Sequence, residues 1–163
     1  MLIGIMSDSH DRLDKISKAI TVLNERGVDV VLHAGDIVSP FTSRVFRQLE
    51  CKIHFVWGNN DGDKLTLTKM MGDVAVFHGW VMCEDIEGLS IYMMHHIPNG
   101  LAEKLAKVGL DLIVSGHTHS LSVRRLSNSS LHVNPGEVCG YLTGKSTIII
   151  LDSSTMQAEV VEL

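Results

Sequence analysis

Five apolar runs in this chain each lead directly into residue types that bind metal ions. "LIGIM" leads into "SDSHD", which offers Asp8 and His10, and "VVLHA" leads into Gly35-Asp36. "HFVW" is followed by Gly58-Asn59, "SIYMM" by His95-His96, and "LIVS" by Gly116-His117, with His119 two residues further on. The pairs Asp8/His10 and His117/His119 have period two, so each pair points one way while the backbone stays extended. Taken singly, every one of these residues reads as a cap, a turn residue or a hydrogen-bonded histidine. Their arrival at five strand ends reads as a metal site.

Electrostatics points the same way. Asp8 and Asp36 abut apolar strands, and no lysine or arginine immediately flanks either of them. Burying an ionised carboxylate without a partner is very costly, and divalent cations supply the missing charge. Two carboxylates, one amide oxygen and several imidazoles suit a borderline transition metal better than calcium. Three ligand candidates (Asp36, Asn59 and His117) directly follow a glycine, which lets the chain turn sharply and approach a bound group. His33, His54, His78 and His132 read as ordinary structural histidines.

The elements that must position these groups follow from periodicity. "LIGIM", "VDVVLHA" and "KIHFVW" are strands. Leu13, Ile16, Ile20 and Leu23 mark a helix closed by Gly27. Ser39 is placed as an N-cap before Pro40, with Phe41, Val45 and Leu49 as the inner face of a second helix. This β-α-β-α-β order implies a largely parallel sheet, whose strand ends share one ligand-binding edge. "WVMCEDIEGLSIYMM" reads as a hairpin turning at Glu87-Gly88, and Leu101, Leu105 and Val108 mark a further helix. "LDLIVS" is a strand, and from Leu121 onward strand follows strand. The expectation is one α/β domain spanning residues 1–163, with two facing sheets and helices outside them.

Composition narrows the function classes. A formal net charge of -5 argues against broad nucleic-acid affinity, while leaving nucleic acid open as a substrate. The three cysteines form no CxxC pair, so a reducing cytoplasm is expected. "MLIGIM" lacks a positive flank and meets Asp8 too early for a signal peptide, and no apolar run approaches the roughly 20 residues of a membrane span. "GYLTGKST" is not a P-loop, because three residues separate Gly140 from Gly144 and a strand follows.

In this order, "DSH", "GD", "GNND", "HH" and "GHTH" resemble the calcineurin-like metallophosphoesterases, specifically their small prokaryotic single-domain phosphodiesterases. "NPGE" near residue 134 resembles a turn of that branch. The resemblance implies a four-layer α/β/β/α sandwich with two mixed sheets and two divalent metal ions. Manganese is the first expectation, with nickel, iron or zinc as alternatives. By the same resemblance, Asp8, His10 and His119 bind one metal, Asn59, His95 and His117 bind the other, and Asp36 bridges them. The implied reaction is in-line attack on a small phosphodiester by a hydroxide held between the two ions.

Two positions depart from the family pattern. Asn60 stands where many members have a histidine that assists the leaving group, and His96 stands where glycine is common. An amide cannot readily give up a proton, so esters with good leaving groups are favoured, unless His96 turns inward as the acid. Asp61 reads equally as an orienting partner or a surface turn residue. Selectivity is expected from loops near Phe41, residues 61–69 and Asn99. The rival reading is a non-catalytic interaction module on the same scaffold, as in a retromer subunit. The β-rich second half offers edges for a homodimer.

Overall fold

The computed structural model describes residues 1–163. Its first half runs β1 (Leu2–Met6), α1 (Leu13–Glu25), β2 (Val30–His33), a 3-10 turn (Pro40–Thr42), α2 (Ser43–Phe46) and β3 (Lys52–Phe55). Next come α3 (Lys64–Met71), β4 (Ala75–Phe77), β5 (Val81–Ile86), β6 (Leu89–Met94), α4 (Leu101–Lys107) and β7 (Leu112–Val114). The chain finishes with β8 (Ser122–Arg125), β9 (Leu131–Asn134), β10 (Thr147–Asp152) and β11 (Gln157–Glu162).

Two mixed sheets result, ordered β11-β10-β1-β2-β3-β4 and β5-β6-β7-β9-β8. In the first, β1 to β4 pair in parallel while β10 and β11 are antiparallel. In the second, the β6-β7-β9 centre is parallel and both edges are antiparallel.

The run "TIIIL" shows how one apolar strand serves two layers. Ile148 and Ile150 pack with Ile16, Ile20 and Leu23 of α1, whereas Ile149 and Leu151 face Ile91, Leu112 and Val133 of the other sheet. That alternation follows from the period of two along a strand. Ala102 and Ala106 of α4 cover Ile113 on the far face of the second sheet. The layers are therefore helix, sheet, sheet, helix, as expected. At the Glu87-Gly88 turn both residues have positive φ (52° and 83°), the geometry of the tight hairpin anticipated there.

Four local expectations need correction. Phe41 is exposed and Phe46 takes its place in the core. The chain enters this segment through a 3-10 turn, which winds more tightly than an α-helix and shifts the inward face. Ser39 makes no side-chain cap; its hydroxyl donates to Asp11. Val108 lies past the end of α4 and is exposed, while Ala102 and Ala106 form the buried face. The stretch 61–69 is not a loop throughout, because α3 begins at Lys64.

Candidate metal centre

All seven candidate ligands meet at one edge of the sandwich, where strands of both sheets end. Two groupings share Asp36. Asp8 Oδ1 lies 3.3 Å from His119 Nε2 and 3.8 Å from His10 Nε2. Asp36 Oδ2 lies 3.5 Å from His10 Nε2 and 3.4 Å from His95 Nε2. On the far side, Asn59 Oδ1 is 3.1 Å from His95 Nε2 and 2.9 Å from His117 Nδ1.

Glycine makes this convergence sterically feasible. A Cβ at Gly58 would sit 2.1 Å from Asp36 Oδ1, and one at Gly116 would sit 2.0 Å from Ser7 Oγ. Backbone strain collects here too. Asp8, His10, Asp36, His117 and His119 all have φ between 40° and 66°, a region that side-chain-bearing residues seldom occupy. Strain of this kind persists only where surrounding structure over-determines it.

The surroundings do so through hydrogen bonds. Asp8 Oδ2 accepts from the His117 amide, and the amides of Asp8 and His10 donate to Gly35 and Asp36 carbonyls. Asp61 is buried, not a surface turn residue: its carboxylate accepts from the amides of Asp36, Val38 and Gly58. His33 also ties two loops together. Its Nδ1 accepts from the Gly35 amide, which leaves Nε2–H to donate to Ser9 Oγ. Burial holds the His33 pKa down at about 3, so this ring stays neutral.

Second contacts set the ring orientations. The His95 Nδ1 lies 2.7 Å from the Ala34 carbonyl, an acceptor only, so Nδ1 carries a proton and Nε2 is turned towards Asp36 at the centre. His119 is fixed the same way by Glu137, 2.7 Å from its Nδ1. Glu137 is fully buried, yet it also accepts from the amides of Tyr141, Leu142 and Thr143, from the Thr143 hydroxyl and from the Cys139 thiol. Burial raises its pKa, but the bonds from Cys139, Thr143 and His119 outweigh that and hold it at about 2. In the sequence "NPGE" reads only as a turn; Glu137 is the positioning residue that sequence reasoning misses.

Cys139 lies within reach of His10 and His119. Burial and the bond to Glu137 push its thiol up to about 12, so the oxygens and imidazoles are the better donors. Asn60 bonds to Asp36 with both its backbone and its side-chain N–H, at 2.8 and 2.7 Å. Burial raises the Asp36 pKa, but His95 and these Asn60 bonds more than reverse it, leaving the group well below the usual carboxylate range. The His96 ring is exposed and stacks on His117, with centroids 4.4 Å apart.

The fit of a cation can be tested on two atoms. Asp8 Oδ1 and His10 Nε2 are buried and have no hydrogen-bond partner. Orphaned buried acceptors are rare and costly, and here they face each other inside a ring of further donors. A cation satisfies both at once, so the residues fit a metal.

Comparison with known proteins agrees. Residues 1–156 match the model of the calcineurin-like phosphoesterase superfamily domain. The chain is 40% identical to a curated phosphodiesterase of Methanocaldococcus jannaschii, over 94% of this chain and 93% of that one. A solved archaeal phosphodiesterase superposes with a TM-score of 0.92 at 37% identity, over 100% of both chains. Vps29 of Chaetomium thermophilum shares the fold at 16% identity, with a TM-score of 0.73 over 100% of this chain and 96% of that one. By its sequence and its architecture alike, this chain belongs to the calcineurin-like phosphoesterase superfamily.

Proposed function

We propose that residues 1–163 act as one phosphodiesterase domain on small phosphodiesters, using two divalent cations with manganese as the first choice. Asp8, His10 and His119 would hold one cation, Asn59, His95 and His117 the other, and Asp36 would bridge them. The observation that carries this reading is the pair of orphaned buried atoms, Asp8 Oδ1 and His10 Nε2, at the centre of seven converging donors. Bound cations would supply Lewis-acid polarisation of the phosphate and a lowered pKa for water.

The chain's own groups then orient and protonate. Ala34 and Glu137 lock the tautomers of His95 and His119, which keeps both Nε2 lone pairs inward. Asn60 holds both Asp36 oxygens and has no proton to give up. His96, exposed and stacked on His117, would serve as the acid only with its ring turned inward. Aryl esters, whose leaving groups need no acid, are the preferred substrates.

The test is a titration of manganese, nickel, iron and zinc into metal-stripped protein, with bound metal counted and a chromogenic diester as substrate. Two ions per chain and saturable turnover are expected. Absence of turnover with all four ions would leave a non-catalytic interaction scaffold as the reading.

A further inference from the structure

One cavity opens beside the candidate ligands on the Asn59 side. It has a volume of about 240 Å³ and is lined by Trp57, Trp80 and Met94 together with Asn59, His95, His96 and His117. Whole-ligand pockets typically run about 300–1,000 Å³, so this space suits one part of a ligand. Its lining offers flat surfaces: the indoles of Trp57 and Trp80, and the stacked His96–His117 imidazoles.

The two tryptophans are held differently. Trp57 is 8% exposed and lies against Phe77, with ring centroids 4.7 Å apart and planes within 22°. Trp80 is 59% exposed, at the turn between β4 and β5. Lys64 steadies both indoles, its ammonium lying 5.6 Å from the Trp57 ring centroid and 5.1 Å from that of Trp80. Lys64 is not part of the cavity lining, so it braces the rings and leaves the space between the walls free. An indole this exposed, beside reactive donors and braced by a cation, has a face left over for stacking.

We propose that this cavity is a subsite for a planar aromatic ester group, with Trp80 as its specificity-determining residue. The inference rests on the phosphodiesterase reading and names its substrate class: phosphodiesters bearing an aryl group or a nucleobase. The phosphate lies at the ligand cluster. The ring enters between Trp80 and the His96–His117 stack, against Met94.

Two phosphonates that the protein cannot hydrolyse separate this idea from the reading beneath it. Phenylphosphonate and methylphosphonate are titrated calorimetrically into the manganese-loaded protein. The phenyl compound binds about tenfold more tightly, the scale of one aromatic stacking contact. That ratio falls towards one in Trp80→Ala and is kept in Trp80→Phe, which guards against a folding defect. Phenylphosphonate also quenches tryptophan fluorescence where methylphosphonate does not. Equal affinities in the unaltered protein overturn the subsite and leave the phosphoester reading standing. Failure of both phosphonates to bind sinks the two together. Thymidine 5′-phosphate against deoxyribose 5-phosphate assigns the source: a base advantage above the phenyl advantage names nucleotides, and a smaller one names aryl esters.

Discussion

His119 and His117 leave the same strand two residues apart, yet they end in opposite surroundings. His119 is buried, bonded through Nδ1 to a fully buried carboxylate and stacked on His10, with centroids 5.1 Å apart. His117 is exposed, bonded to the exposed Asn59 and stacked on the exposed His96. Burial, then His95 and His96, lower the His117 pKa, so that ring stays neutral without any carboxylate to fix it. One side of the centre is built to hold: Glu137 aims His119, and the His117 amide holds Asp8. The other side is built to admit, and its donors border a cavity. A single period-two pair thus joins a rigid anchor to an open door.

Asp36 belongs to both sides, so its removal gives the largest effect. Asp36→Ala should lower diester turnover at least about 10²-fold and reduce bound metal below the proposed two ions per chain, read by elemental analysis. Retention of both ions would break the division into two groupings. A change confined to the open side comes next. Asn60→His should speed alkyl diesters by about 10²-fold and aryl diesters far less, since general acid catalysis matters most for poor leaving groups. Equal acceleration of all esters would show that no acid is missing there.

On the closed side, Glu137→Gln removes the charge behind His119. Metal affinity should drop about 10- to 100-fold for one of the two ions, measured by calorimetry, while the second ion is little affected. If both ions weaken alike, the two sides are not separable. The smallest effect concerns His33, which ties the loops of Asp8 and Asp36. Its folded pKa of about 3 lies below the unfolded value of 6.5. Between those values the unfolded chain binds the extra proton, so stability falls as the pH drops through that window. Relative to His33→Gln, the metal-free protein should lose about 1.2 kcal/mol from pH 6 to pH 5, measured by urea unfolding.

Much of the centre was legible because strands advertise their own ends. Asp8, Asp36, Asn59, His95 and His117 each follow an apolar run, and parallel topology then brings those ends to one edge. Glu137 follows β9 only after the Pro135-Gly136 turn, and its meaning depends on His119, eighteen residues earlier. The signal available was a lone acid in "NPGE" just before an amide-rich turn, too common to interpret. Trp80 was equally silent, since an aromatic residue in a strand-like stretch reads as core. α3 escaped because only Leu67 and Met71 of its eight residues are buried, too few to set a period. Phe41 misled because its spacing to Val45 and Leu49 fits an α-helix, whereas the chain starts that segment with a tighter turn.

The left-handed conformations at Asp8, His10, Asp36, His117 and His119 carry an evolutionary consequence. Glycine would relax the backbone at each by about 1–2 kcal/mol, but at Asp8, Asp36 and His119 it would also strip bonds from buried partners, so His10 and His117 stand to gain most. A chain released from hydrolysis should therefore be free to lose those two rings first.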